Sequence, residues 1–159
     1  MKKIFMFLST LLIIIIAFSG CSYKLDNYMF TTKKPNNFYY TNLLAKNLTM
    51  SSSLKCIIEE NNFHNETELN DENITDIKNM LKYLNKTSFI NKPKDLPQKT
   101  AYIIYFTFNK EKLVINIYNE KYLSIYPWDG NYPVDYIDMS KVPASLNLYY
   151  LGKYIFNEY

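Results

Sequence analysis

Hydrophobic positions follow helical spacing in two stretches of the chain and strand spacing in most of the rest. Tyr40, Leu43, Leu44 and Leu48 recur at helical intervals and predict a short first helix. "LKCIIEE", Leu54 to Glu60, is a short apolar run with β-branched isoleucines between polar flanks, which favours a strand. In "NDENITDIKNMLKYLNK" the residues Ile74, Ile77, Leu81 and Leu84 share one stripe with Met80 beside it, the clearest helix in the chain. Asp71, Glu72 and Asp76 stand at its start, and Lys78, Lys82 and Lys86 follow toward its end, the order that complements a helix dipole. "INKPKDLPQK" carries two prolines and reads as a loop.

From residue 101 the period becomes two. "AYIIYFTF", "LVINIY" and "YLSIY" are separated by "NKEK" and "NEK", lengths suited to hairpins. Pairing Phe108 with Leu113 sets Phe106 against Ile115 and Ile104 against Ile117. The second turn sets Ile117 opposite Leu123 and Ile115 opposite Ile125. One face is then wholly apolar: Ile104, Phe106, Phe108, Leu113, Ile115, Ile117, Leu123 and Ile125. A one-residue slip would turn that entire set to solvent. The helix around Ile74 to Leu84 is its natural cover. The expected fold class is α+β, an antiparallel meander of three to four strands covered by one or two helices, plus an N-terminal signal helix.

The opposite face carries Ile103, Tyr105, Thr107, Val114, Asn116, Tyr118, Tyr122, Ser124 and Tyr126, half aromatic and half polar. Strand propensity and cross-strand pairing account for tyrosines there. That is the favoured reading; the alternative is a docking surface, because Tyr offers rigid apolar area with a polar tip. A third reading lays the C-terminal "LNLYYLGKYIFNEY" across this face as a helix, with Leu148, Leu151 and Ile155 inward.

The N-terminus follows neither period. Lys2 and Lys3 precede an apolar run from Ile4 to Ala17, broken by Ser9 and Thr10 and closed by Phe18-Ser19-Gly20-Cys21. A charged start, a short apolar stretch and small residues before a break are the parts of a secretory signal peptide. At about 14 residues the run falls short of the roughly 20 that span a bilayer core. An uncleaved span and a secreted protein cut by the ordinary signal peptidase are the alternatives. "FSGC" resembles the lipobox of bacterial lipoproteins, with Phe18 where that family usually places Leu. The resemblance implies signal-peptidase cleavage between Gly20 and Cys21 and a thioether-linked diacylglycerol on Cys21. Two acyl chains on one residue hold a protein on a membrane stably.

The expected domains are therefore a signal peptide over 1–20, a lipid-anchored flexible tether over 21–37 and a single α+β domain over 38–159. "SYKLDNYMFTTKKPNN", Ser22 to Asn37, is polar with Pro35 and no sustained period. About 15 such residues span roughly 20 Å on average and about 50 Å at most.

The length of 159 residues suits one domain. All 18 basic residues are Lys, so the chain has no bidentate guanidinium for phosphate or base recognition. The formal charge is +3, and losing Lys2 and Lys3 with the leader removes two charges and leaves +1. Nucleic acid is not an expected partner. Abundant Asn, Ile, Lys and Tyr share A/T-rich codons, which weakens the 16 tyrosines as evidence of binding. With Cys21 lipidated, Cys56 is left alone in an apolar run and reads as a buried small hydrophobe.

The loop "YPWDGNYPVDYIDM", Tyr126 to Met139, gathers the only Trp, two prolines and three aspartates. Trp128 there is a candidate stacking surface for a ligand or carbohydrate, with Asp129, Asp135 and Asp138 as polar contacts; a rigid loop pinned by a half-buried Trp is the plainer reading. The candidate binding residues are Trp128, Asp129, Tyr105, Tyr118 and Tyr126. Oxygen donors around Gly130 do not follow the spacing of a calcium loop, so no metal and no cofactor is expected. His64, in "NNFHNETE", is the single histidine, and no phosphate loop or nucleophile elbow occurs. The leading expectation is a non-enzymatic binding or accessory module with an unknown cell-surface protein or small ligand as partner; the alternative is an extracytoplasmic hydrolase with a dispersed active site.

The lipobox, the helix, the Tyr/Ile-rich meander and the "YPWDG" to "DYIDM" tail together resemble small uncharacterised lipoproteins of clostridial-type Gram-positive bacteria. That resemblance implies a lipid-anchored location on the outer face of the cell membrane and no defined activity.

Overall fold

The computed structural model describes residues 34–51, 53–128 and 133–157. Helix α1 (Tyr39–Met50) leads into strand β1 (Leu54–Glu60) and the short β2 (Asn65–Glu68). Helix α2 (Asp71–Tyr83) and the two-residue β3 (Phe89–Ile90) follow, then β4 (Tyr102–Phe108), β5 (Lys112–Ile117), β6 (Tyr122–Pro127) and β7 (Asp135–Asp138). Helix α3 (Leu148–Ile155) closes the described chain.

The strands form one antiparallel sheet in the order β2-β1-β4-β5-β6-β7-β3. Among the described residues, seven strands and three α-helices replace the expected three to four strands and one or two helices. The extra strands carry little periodic signal. "NETE" of β2 is exposed throughout, β3 is too short to show a period, and β7 buries Asp135 beside Ile137. The expected signal helix, Met1 to Gly20, lies outside the described residues.

The second hairpin has the expected register, with Ile117 opposite Leu123 and Ile115 opposite Ile125. The first is tighter than expected. Ile104 pairs with Ile115 and Phe106 with Leu113, two residues from the anticipated match. The Phe108 amide donates to the Glu111 carbonyl at 2.9 Å, so Asn109 and Lys110 make a two-residue tip where four had been allowed. A shift of two preserves the side-chain faces. All eight residues of the apolar face are accordingly buried.

That face meets Leu44 and Leu48 of α1, Ile77, Met80 and Leu81 of α2 and Leu148 of α3 in one core. Helix α2 starts with a reciprocal cap, since Asn70 Oδ1 accepts from the Asn73 amide at 2.9 Å and Asn73 reaches back to the Asn70 amide. The C-terminal helix does not cross the tyrosine face. It packs on the core side, where Tyr102 lies parallel to the Phe156 ring and tilted to Tyr149. Gly152 allows this approach, because a Cβ there would stand 2.5 Å from the Tyr102 ring. The inward residues of α3 are thus Leu148 and Gly152, whereas Leu151 and Ile155 are only partly buried. All three helices contribute to this core.

Candidate functional site

The tyrosine face carries its own thin cover of aromatic side chains. Its small central residues Val114 and Ser124 are buried although no described helix lies over them. Strand pairing places their neighbours in rows. Ile57, Tyr105, Val114 and Tyr126 form one row across β1, β4, β5 and β6. Glu59, Ile103, Asn116, Ser124 and Tyr136 form the next.

The phenol groups turn toward the polar atoms of these rows. The Tyr118 hydroxyl lies 3.4 Å from Ser124 Oγ, and the Tyr126 hydroxyl reaches Asn116 Oδ1 at 3.5 Å. The Tyr105 hydroxyl donates to Glu59 Oε2 at 2.8 Å, while His64 Nδ1 meets Glu59 Oε1 at 2.9 Å. The His64 bond and then the Tyr105 bond hold the Glu59 carboxyl below the usual carboxylate range. Burial first, and then this same bond to Glu59, pushes the Tyr105 phenol up. His64 occupies the left-handed backbone region at φ 54°, in the β1–β2 turn, with its side chain 76% exposed. Among the described residues, no cluster of three or more His, Cys, Asp or Glu is placed to hold a metal.

Trp128 stands at one end of this face. Its ring is 57% exposed and meets Tyr105 edge-on at 5.1 Å between centroids. Both rings, with Thr107 and Lys112, line a shallow hollow of about 140 Å³. Of the candidate binding residues, Trp128, Tyr105 and Tyr126 are brought together, and Tyr118 sits farther along toward Ser124. Asp129, Gly20 and Cys21 lie outside the described residues. Asp138 is not near Trp128 but caps a turn at the other end of β7, accepting from the Ser140 amide at 2.9 Å. Tyr122 is pinned by Asp95 of the proline-rich loop at 3.0 and 3.1 Å.

Residues 34–152 match a protein family described as a domain of unknown function, DUF4883. The chain belongs to the DUF4883 family. No curated protein matches it. The crystal structure described as "Putative Lipoprotein from Clostridium perfringens" is similar to it at 32% identity and a TM-score of 0.69, over 78% of this chain and 98% of that one.

The DUF4883 match begins at Lys34, which takes part in a buried charge cluster. The Asp135 side chain has no exposed surface, and its Oδ2 accepts from both the amide and the hydroxyl of Thr41 at 2.8 Å. Its Oδ1 faces the Lys34 ammonium, which also donates to the Pro133 carbonyl at 3.1 Å and lies over the Tyr40 ring. Asp135, read from sequence as a ligand contact, is therefore the anchor that fixes the start of the DUF4883 domain against α1. Sequence reasoning missed this cluster, because nothing local links Lys34 to a residue 101 positions later. Burying a carboxylate requires such compensation.

Proposed function

We propose that the protein is a lipid-anchored, extracytoplasmic module without enzymatic activity, which acts through the tyrosine face of its sheet. Cys21 carries the diacylglycerol and the leader up to Gly20 is removed. Similarity to a clostridial chain described as a lipoprotein supports the anchoring, together with the "FSGC" sequence. The observation that carries the binding role is the division of the sheet: all three helices contribute to one core, while Tyr105, Tyr126 and Trp128 are left half-buried or exposed on the opposite face. An aromatic surface with nearby amide, hydroxyl and carboxylate groups suits a partner that has both apolar area and hydrogen-bonding groups.

Cell fractionation with acyl labelling tests the anchor. The wild-type chain is expected in the membrane fraction with label, and Cys21→Ala is expected to be soluble or to remain an uncleaved precursor without label. Unchanged fractionation and labelling in the variant would show that Cys21 is not the lipidated residue.

A further inference from the structure

The tyrosine face is electrically polarised along its strands. At the Trp128 end, Lys55, Thr107 and Lys112 are exposed cross-strand neighbours on β1, β4 and β5. The Trp128 amide donates to the Lys112 carbonyl at 3.0 Å, so the indole continues this row across the sheet. Lys110 is exposed at the adjoining hairpin tip. The acid of that hairpin, Glu111, is engaged on the helix side by Asn47 Nδ2 at 2.7 Å. At the opposite end Glu59 and Glu66 face each other across β1 and β2, Glu68 stands opposite Ile57 between the two ends, and the Lys121 ammonium is set against Asp95 at 3.8 Å. Four residue rises along β1 separate Lys55 from Glu59, about 13 Å.

The described chain also begins at the basic end. Lys34 is held by Pro133 and Asp135, where β6 ends and β7 starts, which is the end that bears Trp128. Twelve residues, Ser22 to Lys33, separate it from Cys21, and covalent geometry limits their reach to about 40 Å. We infer that the Trp128 end of the tyrosine face docks on the anionic lipid surface to which the chain is tethered. The inference rests on the lipoprotein reading and names the partner of one end of the same face. Tryptophan favours the boundary between headgroups and acyl chains, and lysines beside it are drawn to anionic headgroups. The acidic Glu59 and Glu66 then point away from that surface, which sets the orientation of the face.

Trp128 is the only Trp, so its emission reports this contact directly. The mature lipidated chain is reconstituted into phosphatidylglycerol or phosphatidylcholine vesicles, with flotation reporting anchoring and quenching by brominated acyl chains reporting docking. Docking predicts a blue-shifted emission and several-fold stronger quenching in phosphatidylglycerol. The combined Lys55→Glu, Lys110→Glu and Lys112→Glu variant should fall to the phosphatidylcholine level while still floating, and high salt should do the same to the wild type. Flotation with emission indifferent to lipid charge overturns the docking and leaves the anchor standing. If the wild-type chain recovered from cells carries no acyl group and is still quenched in phosphatidylglycerol, the docking is supported and the anchor is overturned. Emission that responds to a soluble saccharide or protein and not to phosphatidylglycerol overturns the docking in favour of another occupant.

Discussion

The two faces of the sheet are built from similar strands and solve the problem of burial differently. On the core face, Ile104, Phe106, Ile115, Ile117 and Ile125 meet side chains from three helices and lose nearly all contact with solvent. On the other, tyrosines lie over Val114 and Ser124 and keep their own outer surfaces in water. The core face is therefore expected to supply the stability, whereas the tyrosine face is stable enough to persist while presenting chemistry. The same contrast separates the charges: Asp135 is wholly buried and compensated, but Glu59 is tied to a phenol and an exposed imidazole.

The largest expected effects are on the core face. Phe106→Ala should cost about 3–5 kcal/mol, measured by denaturant unfolding, because it opens a cavity in a fully enclosed position. Asp135→Ala should cost about 3–5 kcal/mol, since it strands the Lys34 ammonium and leaves Thr41 without its acceptor. A small loss for either substitution would erase the energetic distinction between the faces. Gly152→Ala is expected to cost about 1–3 kcal/mol by forcing the Tyr102 ring aside, and its thermal midpoint reads the packing of α3.

Smaller effects belong to the tyrosine face. The Glu59 carboxyl is held below its ordinary value, so its ionised form stabilises the fold; that contribution is complete above the ordinary glutamate range and disappears as pH falls through the lowered value. Acid titration of stability should therefore show wild type and Glu59→Gln converging as pH drops, and a constant gap would remove the proposed role of the Tyr105 and His64 bonds. Trp128→Ala should change stability by no more than about 0.5 kcal/mol, as its ring is mostly in solvent. A larger loss would make Trp128 a structural pin and not a presented surface.

Period-two patterning made the apolar face legible because parity, not exact pairing, decides which side chains share a face. The register error of two residues at Asn109 and Lys110 left Ile104, Phe106 and Leu113 buried all the same. Helices α1 and α2 were legible from Leu44, Leu48, Ile77 and Met80 for the analogous reason at helical spacing. Strand β2 was not, since its four residues bury nothing and exist through pairing with β1. The side chosen by α3 depended on Gly152 meeting Tyr102, 50 positions away, which no local pattern records. For the site, the approach of Trp128 to Tyr105 depends on the tighter first hairpin, and like the Glu59 and His64 contacts and the Lys34 cluster it required the tertiary fold.

Function is proposed to belong to the tyrosine face and not to the helical layer. Site-specific photocrosslinking in the intact, membrane-anchored protein compares the two directly, with the reactive group replacing Tyr126 on the sheet or Tyr154 on α3, which is itself 64% exposed. Several-fold more adduct, to lipid or to a partner, is expected from position 126. Equal adduct from the two positions, or more from 154, would contradict it.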